Sequence, residues 1–266
     1  MAIRVLPRLL AGGAALAAIL TGLVSTASQG AQDSLVALGD SYASGVGTRS
    51  YDSASGSCYR SRYAYPAIDA RRLGLRLTFA ACSGASTSSV RTSQLTGLST
   101  GTDYVTVTVG GNDVGFVEVI TACAPPWWAS DCHGEIDEAQ DEIQTVLPPR
   151  LDALYTAIRG RAPNAKVVVV GYPRLFMGED CNAGTWFSPS EQTRLNATAD
   201  LLSQTIEARA AAHGFTYVDP RAAYTGHAVC DDVEWINGLS NPVMESYHPN
   251  RAGQTGYANL ADDHLT

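Results

Sequence analysis

Basic residues are scarce in this sequence. Its 266 residues contain 18 Lys and Arg against 26 Asp and Glu, so the formal net charge is −8. Arg4 and Arg8 precede the first acidic residue, Asp33, and removing these two positive charges with the N-terminal segment leaves a net charge of −10. Because an acidic protein does not hold nucleic acid or an anionic surface by bulk charge, we expect no nucleic-acid partner.

The sequence also lacks any Cys-x-x-Cys pair, which argues against a structural zinc site. Its six cysteines all lie after residue 57, and an even number of cysteines in a secreted chain predicts disulfide bonds. The sequence does not choose among the many pairings of six cysteines. Our hypothesis is sequential pairing in three disulfides: Cys58–Cys82, Cys123–Cys132 and Cys181–Cys230. We expect neither a metal nor a cofactor.

The N-terminal segment has the pattern of a secretory signal peptide. Arg4 and Arg8 precede an apolar stretch over residues 9–24, and Ser25, Thr26 and Ala27 follow it. The stretch is short and rich in Ala and Gly, which does not favour a membrane-spanning anchor. We therefore expect a signal peptide over residues 1–27, with Ala31 as the alternative cleavage site. Residues 28–266 are then expected to form a single secreted domain, which we take to be monomeric.

No repeat or low-complexity segment follows, and short apolar runs alternate with helical patterns. A helix over 134–161 must break near Pro148, because two successive prolines interrupt it. Ser188 begins a capping-box pattern that predicts a helix to about residue 213. Five strands are expected at residues 34–38, 75–79, 104–109, 166–170 and 215–218, with further helices at 64–73 and after 249. This alternation predicts an α/β fold, a three-layer α/β/α sandwich around a mostly parallel sheet of about five strands.

Polar residues follow three of these strands. Ser41 lies just after the first strand, Gly84 after the second and Asn112 after the third. Functional sites in such sheets lie outside the carboxyl ends of the strands, so these residues are expected to converge. A serine hydroxyl is a nucleophile when a base takes its proton, and N–H donors can stabilise the oxyanion that forms.

A nucleophilic serine needs a base, and the chain has five histidines. His248, in the segment VMESYHPN, lies just before the last predicted helix. The residues alone leave open whether His248 is this base or an ordinary loop residue beside a helix.

Four short segments in order carry a resemblance to a known family. GDSY (39–42), CSGAS (82–86), GGND (110–113) and YHP (247–249) resemble the four blocks of the GDSL or SGNH hydrolases, especially the secreted bacterial lipase, esterase and phospholipase A1-like branch. The match covers roughly residues 35–250. The resemblance implies Ser41 as nucleophile, His248 as general base, and the Ser41 N–H, the Gly84 N–H and the Asn112 side chain as oxyanion hole. It also implies a flavodoxin-like fold.

The sequence departs from the family pattern at one position. The family often has Asp three residues before the histidine, where this chain has Glu245. Two ways of orienting His248 therefore stay open. Either the Glu245 carboxylate acts as a triad acid, or the backbone carbonyl of Ser246 holds the imidazole.

Gly97-Leu98-Ser99-Thr100-Gly101 also matches G-x-S-x-G, the nucleophile elbow of a different hydrolase class. That elbow follows a strand and precedes a helix, whereas this segment precedes the third predicted strand, so we expect an exposed loop. We interpret Asp40 as a side chain that stabilises the turn before Ser41.

The substrate is expected to be an acyl ester such as a glycerolipid or a simple fatty-acid ester. Trp127 and Trp128 lie in the short loop between Cys123 and Cys132, where they can contact an acyl chain, a lipid surface or a sugar, or pack on their own loop. Phospholipase A-type activity and carbohydrate O-acetyl esterase activity are the alternatives. A non-catalytic secreted binding protein is a more remote alternative. Four aromatic residues are expected to line an acyl groove or fill the core: Tyr42, Phe116, Tyr172 and Phe187.

Overall fold

The computed structural model describes residues 1–3, 32–178 and 184–266. The chain divides into two separate units, Met1–Ala31 and Gln32–Thr266. The predicted signal peptide therefore lies almost wholly outside the described residues. Cys181 is outside them too, and so is the predicted Cys181–Cys230 disulfide.

A five-stranded sheet is at the centre of residues 32–266. The strands are β1 (Ser34–Gly39), β2 (Arg76–Phe79), β3 (Tyr104–Thr108), β4 (Lys166–Val170) and β5 (Thr216–Val218). All four strand pairs are parallel, and the order across the sheet is β2-β1-β3-β4-β5. These short strands are built from β-branched and other apolar residues, as in the run KVVVV, which suits strands covered on both faces. The predicted parallel sheet is confirmed.

Helices cover the sheet in two groups. The α-helices are α1 (Ser41–Ser44), α2 (Tyr65–Leu73), α3 (Thr87–Ser89), α4 (Phe116–Cys123), α5 (Cys132–Thr145), α6 (Leu147–Arg161), α7 (Pro189–Ala212) and α8 (Arg251–Ala261). Helix α2 packs against α8, while α4, α5, α6 and α7 pack against one another. Within the described ranges, no helix is both long enough and apolar enough to cross a membrane.

Two helix boundaries follow directly from local sequence. The expected break near Pro148 falls between α5 and α6, and Pro148 lies in the first turn of α6, where its missing N–H costs no hydrogen bond. Helix α7 begins with the predicted capping box. The Ser188 side chain accepts from the Glu191 N–H, and the Glu191 carboxylate accepts from the Ser188 N–H.

Two disulfides join pairs of described residues. Cys58–Cys82 has a Cα–Cα distance of 4.0 Å and ties the loop that follows α1 to the loop that follows β2. Cys123–Cys132 joins the end of α4 to the start of α5. Both pairs have the sequential pattern that was expected.

Candidate active site

Ser41 and His248 form a hydrogen-bonded pair at the carboxyl end of β1. Ser41 is the first residue of α1, and the Asp40 carboxylate caps this helix by accepting from the Tyr42 N–H at 2.9 Å. The Ser41 Oγ lies 2.8 Å from the His248 Nε2, and each residue is only 9% exposed. This is the distance at which a histidine can take the proton of a nucleophilic hydroxyl.

The other ring nitrogen of His248 is held by the backbone. Its Nδ1 lies 2.8 Å from the carbonyl oxygen of Ser246, which can only accept a hydrogen bond. The proton therefore belongs on Nδ1, and the Nε2 lone pair faces Ser41. Burial lowers the pKa of His248 to about 4, although the Ser246 carbonyl opposes this shift. At neutral pH the imidazole is uncharged and can act as a base.

Glu245 is directed away from His248. Its carboxylate accepts from the Tyr51 hydroxyl at 2.5 Å and pairs with the Arg49 Nε at 3.3 Å. The short helical turn Val243–Glu245 buries this side chain and leaves the next carbonyl, that of Ser246, facing the imidazole. Of the two groups that the sequence left open, the Ser246 carbonyl contacts the His248 ring, and the Glu245 carboxylate contacts Tyr51 and Arg49 instead.

The expected oxyanion donors come from three loops. Asn112 lies in the turn Gly111–Asp113 after β3, and its Nδ2 donates to the Ala85 carbonyl at 3.1 Å. This bond places Asn112 beside the loop that carries Gly84. Gly84 has a φ of +76°, and a Cβ there would meet nothing within 4 Å. Glycine is therefore suited to this position by its backbone conformation rather than by a lack of space.

The backbone N–H groups of these loops are available to a ligand. Among the described residues, neither the Ser41 N–H nor the Gly84 N–H has a hydrogen-bond acceptor in the protein. The loops are also tied together, because the Asp113 carboxylate accepts from the Thr87 N–H at 2.8 Å and from its hydroxyl at 2.7 Å. A backbone N–H that has no acceptor in the protein can donate to a developing negative charge.

An apolar pocket opens beside this site. Ser41 and Asn112 lie at one part of its wall, and Tyr42, Phe116 and Tyr172 line it as the sequence suggested. Phe187 is not among the lining residues. It packs in the core, with ring centroids 4.9 Å from Phe176 and 5.6 Å from Tyr247.

Sequence reasoning missed the other walls of the pocket. They are formed by apolar residues of α4, α5 and α7, among them Val119, Ile120, Ala139, Ile143, Leu195 and Leu202. The helical spacing of these residues is the only signal in the sequence. It cannot separate a pocket wall from ordinary core, because both need an apolar helix face.

Ser99, the serine of the G-x-S-x-G match, does not line the pocket beside Ser41. Ser99 and Thr100 are exposed in the loop that precedes β3, as expected. In the loop between Cys123 and Cys132, Trp128 is 71% exposed, while the Trp127 side chain lies outside what the structure describes.

Residues 37–255 match the GDSL-like lipase/acylhydrolase family. A lipase from Streptomyces rimosus is 46% identical over 225 residues, which cover 84% of this chain and 83% of the relative. Lipase 1 of Streptomyces coelicolor is 43% identical over 250 residues, 93% of this chain and 91% of the relative.

Solved structures with the same architecture include two from Streptomyces. The extracellular lipase of S. rimosus superposes with a TM-score of 0.82 at 44% identity, over 87% of this chain and 99% of the other. Phospholipase A1 from S. albidoflavus NA297 superposes with a TM-score of 0.83 at 43% identity, over 88% of this chain and 100% of the other. A catalytic mutant of Axe2, an acetylxylan esterase from Geobacillus stearothermophilus, has a TM-score of 0.54 at 15% identity and shares the fold alone, over 88% of this chain and 94% of the other.

Proposed function

The chain belongs to the GDSL-like lipase/acylhydrolase family and is an ester hydrolase, and we propose that Ser41 is its nucleophile and His248 its general base. The observation that carries this proposal is the 2.8 Å distance from the Ser41 Oγ to the His248 Nε2. The second bond of the ring, from Nδ1 to the Ser246 carbonyl, supports it because it keeps the Nε2 lone pair available. His248 then works with a backbone carbonyl in place of a triad acid.

In the first half of the reaction His248 takes the Ser41 proton as the Oγ attacks the ester carbonyl carbon. The carbonyl π electrons move onto its oxygen, and the oxyanion that forms accepts hydrogen bonds from the Ser41 N–H, the Gly84 N–H and the Asn112 side chain. When the oxyanion collapses, the C–O bond to the alcohol breaks and His248 gives its proton to the leaving oxygen. The acyl group is left on Ser41.

In the second half His248 takes a proton from water, and the hydroxyl attacks the acyl carbon. Collapse of the second oxyanion returns the electron pair and the proton to Ser41 and releases the carboxylic acid. Each oxyanion donor is expected to contribute about 10²–10³ in rate. No step of this cycle requires a metal or cofactor.

We propose esters of fatty acids, such as glycerolipids, as the substrate class. The pocket next to Ser41 is lined almost wholly by apolar side chains, which suits an acyl chain better than an acetylated sugar. Phospholipase A-type activity in the same site is the second candidate, favoured by the likeness to phospholipase A1 from S. albidoflavus. The apolar pocket is less suited to a carbohydrate O-acetyl esterase. The complete Ser–His pair is not expected in a non-catalytic binding protein.

We further propose transient contact with a lipid–water interface. Val117 is 56% exposed and is the sequence neighbour of the pocket-lining Phe116. Trp186 is 52% exposed, and its backbone N–H donates to the Ala124 carbonyl at the end of α4. Exposed apolar and Trp side chains on or next to a helix that lines a pocket suit a surface where water meets lipid. Trp186→Ser should slow hydrolysis of an emulsified long-chain ester and leave p-nitrophenyl acetate hydrolysis unchanged. Equal effects on both would contradict this contact.

We propose that the protein is secreted as a monomeric single domain over residues 28–266 after removal of residues 1–27. The basic and apolar N-terminal pattern, the disulfides and the likeness to an extracellular lipase support this. Sequencing of the N-terminus of the protein from the culture medium should find Ser28 first, or Gln32 if cleavage follows Ala31. A retained Met1 would refute it. Size-exclusion chromatography with light scattering tests the monomer.

The test of the proposed function is hydrolysis of p-nitrophenyl esters from acetate to palmitate, together with phosphatidylcholine. Wild type, Ser41→Ala and the control Ser99→Ala are compared. Wild type and Ser99→Ala should cleave medium and long esters, while Ser41→Ala should be inactive. Activity on acetate alone would indicate a deacetylase. An active Ser41→Ala variant would show that Ser41 is not the nucleophile and that the active site lies elsewhere. The phosphatidylcholine assay decides between lipase and phospholipase.

A further inference from the structure

Tyr172 connects the loops that carry Ser41 and Asn112. It lies two residues beyond β4, whereas Ser41 follows β1 and Asn112 follows β3. In the sheet β3 lies between β1 and β4, so the Tyr172 side chain reaches past the end of β3 to the β1 loop. We propose that the Tyr172 hydroxyl is a positioning group that holds the Asn112 loop in place relative to Ser41. This inference rests on the proposed function of both residues.

A continuous chain of hydrogen bonds joins the two loops. The Gly111 N–H donates to the Tyr172 hydroxyl oxygen at 3.2 Å, and the Tyr172 hydroxyl donates to the Asp40 Oδ2. The Asp40 Oδ1 accepts from the Tyr42 N–H at 2.9 Å. The chain thus runs from the residue before Asn112 to the residue after Ser41.

The directions of the two bonds require a group at this position that both accepts and donates, as the phenol hydroxyl does. A backbone N–H can only donate, so the phenol oxygen must accept from Gly111 and its proton is left for Asp40. Burial and the neighbouring Asp40 carboxylate keep the pKa of Tyr172 well above its usual value, so the phenol retains its proton. Burial raises the pKa of Asp40 to about 7, and the bond from Tyr172 opposes this rise. Above that pH the acceptor is a carboxylate.

The Tyr172 ring has a second role that must be kept apart from the first. It lines the acyl pocket, and its centroid lies 5.1 Å from that of Tyr42 in an edge-to-face contact. Phenylalanine retains the ring and both contacts but removes the hydroxyl. Tyr172→Phe therefore isolates the positioning role from the pocket wall.

The experiment measures kcat and KM on a soluble p-nitrophenyl ester about two pH units above the pKa of Asp40. Tyr172→Phe should lower kcat roughly 10- to 100-fold, because small misplacements of a catalytic group cost rates of this order. KM should stay within about twofold, since the pocket is unchanged. If Tyr172 acts through Asn112, Tyr172→Phe combined with Asn112→Ala should be no slower than Asn112→Ala alone.

Two further variants keep the test decisive. Asp40→Asn replaces the acceptor with an amide that cannot satisfy both Tyr172 and the Tyr42 N–H, so it should repeat the loss of kcat even if Tyr172→Phe folds poorly. Tyr224→Phe is the matched control, because it also removes one buried hydroxyl, which donates to the Gly253 carbonyl at 2.6 Å. Its kcat should stay within about twofold of wild type.

Several outcomes would overturn the inference. One is an unchanged kcat in folded Tyr172→Phe or in Asp40→Asn. A second is a double variant whose loss of kcat is the product of the two single losses. A third is a loss of kcat in Tyr224→Phe as large as that in Tyr172→Phe. A fourth is an Asn112→Ala variant with the kcat of wild type while Tyr172→Phe has a reduced kcat. The proposed function fails separately, through an active Ser41→Ala variant.

Discussion

Glu245→Gln should leave catalysis almost intact while lowering stability. The Glu245 carboxylate is directed toward Tyr51 and Arg49, and the Ser246 carbonyl occupies the place at the His248 Nδ1 that a triad acid would take. Glutamine keeps the size of the side chain and removes only its charge. We therefore expect kcat and KM on a soluble ester to stay within about twofold of wild type.

The stability cost follows from the two interactions that lose the charge. A hydrogen bond to a charged group contributes about 1.5–3 kcal/mol and a neutral one about 0.5–1.5, so the Tyr51 bond should lose about 1 kcal/mol. The Arg49 side chain is 64% exposed, and solvent screening limits that ion pair to about 0–1 kcal/mol. A total of about 1–2 kcal/mol should lower the Tm by roughly 2–8 °C in a domain of this size.

The assays are steady-state kinetics and thermal unfolding followed by circular dichroism. Glu191→Gln is the control, because Glu191 is also buried and accepts hydrogen bonds in the capping box of α7. It should lower the Tm and leave kcat unchanged. If Glu245→Gln instead lowered kcat by about 10³–10⁴ with the fold intact, Glu245 would be a triad acid and the carbonyl arrangement would be refuted.

Two further predictions concern the pocket and the core. Ala199→Leu adds bulk to the pocket wall on α7 and should lower kcat/KM for long acyl esters roughly 10-fold relative to acetate, whereas a uniform change would contradict an acyl pocket there. Burial, with the neighbouring Asp262, raises the pKa of Asp69 to about 10, so the stability it contributes is complete below its ordinary pKa of 3.8 and is lost as pH rises through about 10. Asn does not titrate, so the Tm of Asp69→Asn should rise relative to that of wild type as the pH increases from about 5 to about 9. Parallel curves of Tm against pH for the two proteins would refute this.

Most of the fold was predictable because local patterns and the final structure agree. Lys166–Val170 is the predicted fourth strand without change, and the break at Pro148 separates α5 from α6. Errors in the strands are confined to their ends, as in β1, which continues one residue further to Gly39, whereas helix α4 was not predicted at all. A positive φ of 128° at Gly39 and the close approach of the Thr108 backbone to it are set by the neighbouring strand, which a local pattern does not contain.

The site was predictable to the extent that it lies at strand ends. Ser41 and Asn112 follow from that rule, whereas His248 needed the family blocks because it lies in a loop with no periodic pattern. The partner of His248 depends on how the turn before it closes, and a backbone carbonyl leaves no trace in the sequence. The same rule points to Tyr172, since it is a polar residue just beyond the carboxyl end of β4.

We propose that Ser41 is a nucleophile activated by His248. The most direct measurement is reaction with a fluorophosphonate, followed by mass spectrometry of the intact protein and its peptides. We predict one adduct on Ser41 in the wild-type protein, and labelling slowed by orders of magnitude in His248→Ala. An adduct on another serine such as Ser99, or labelling of Ser41 at an undiminished rate in His248→Ala, would contradict the account.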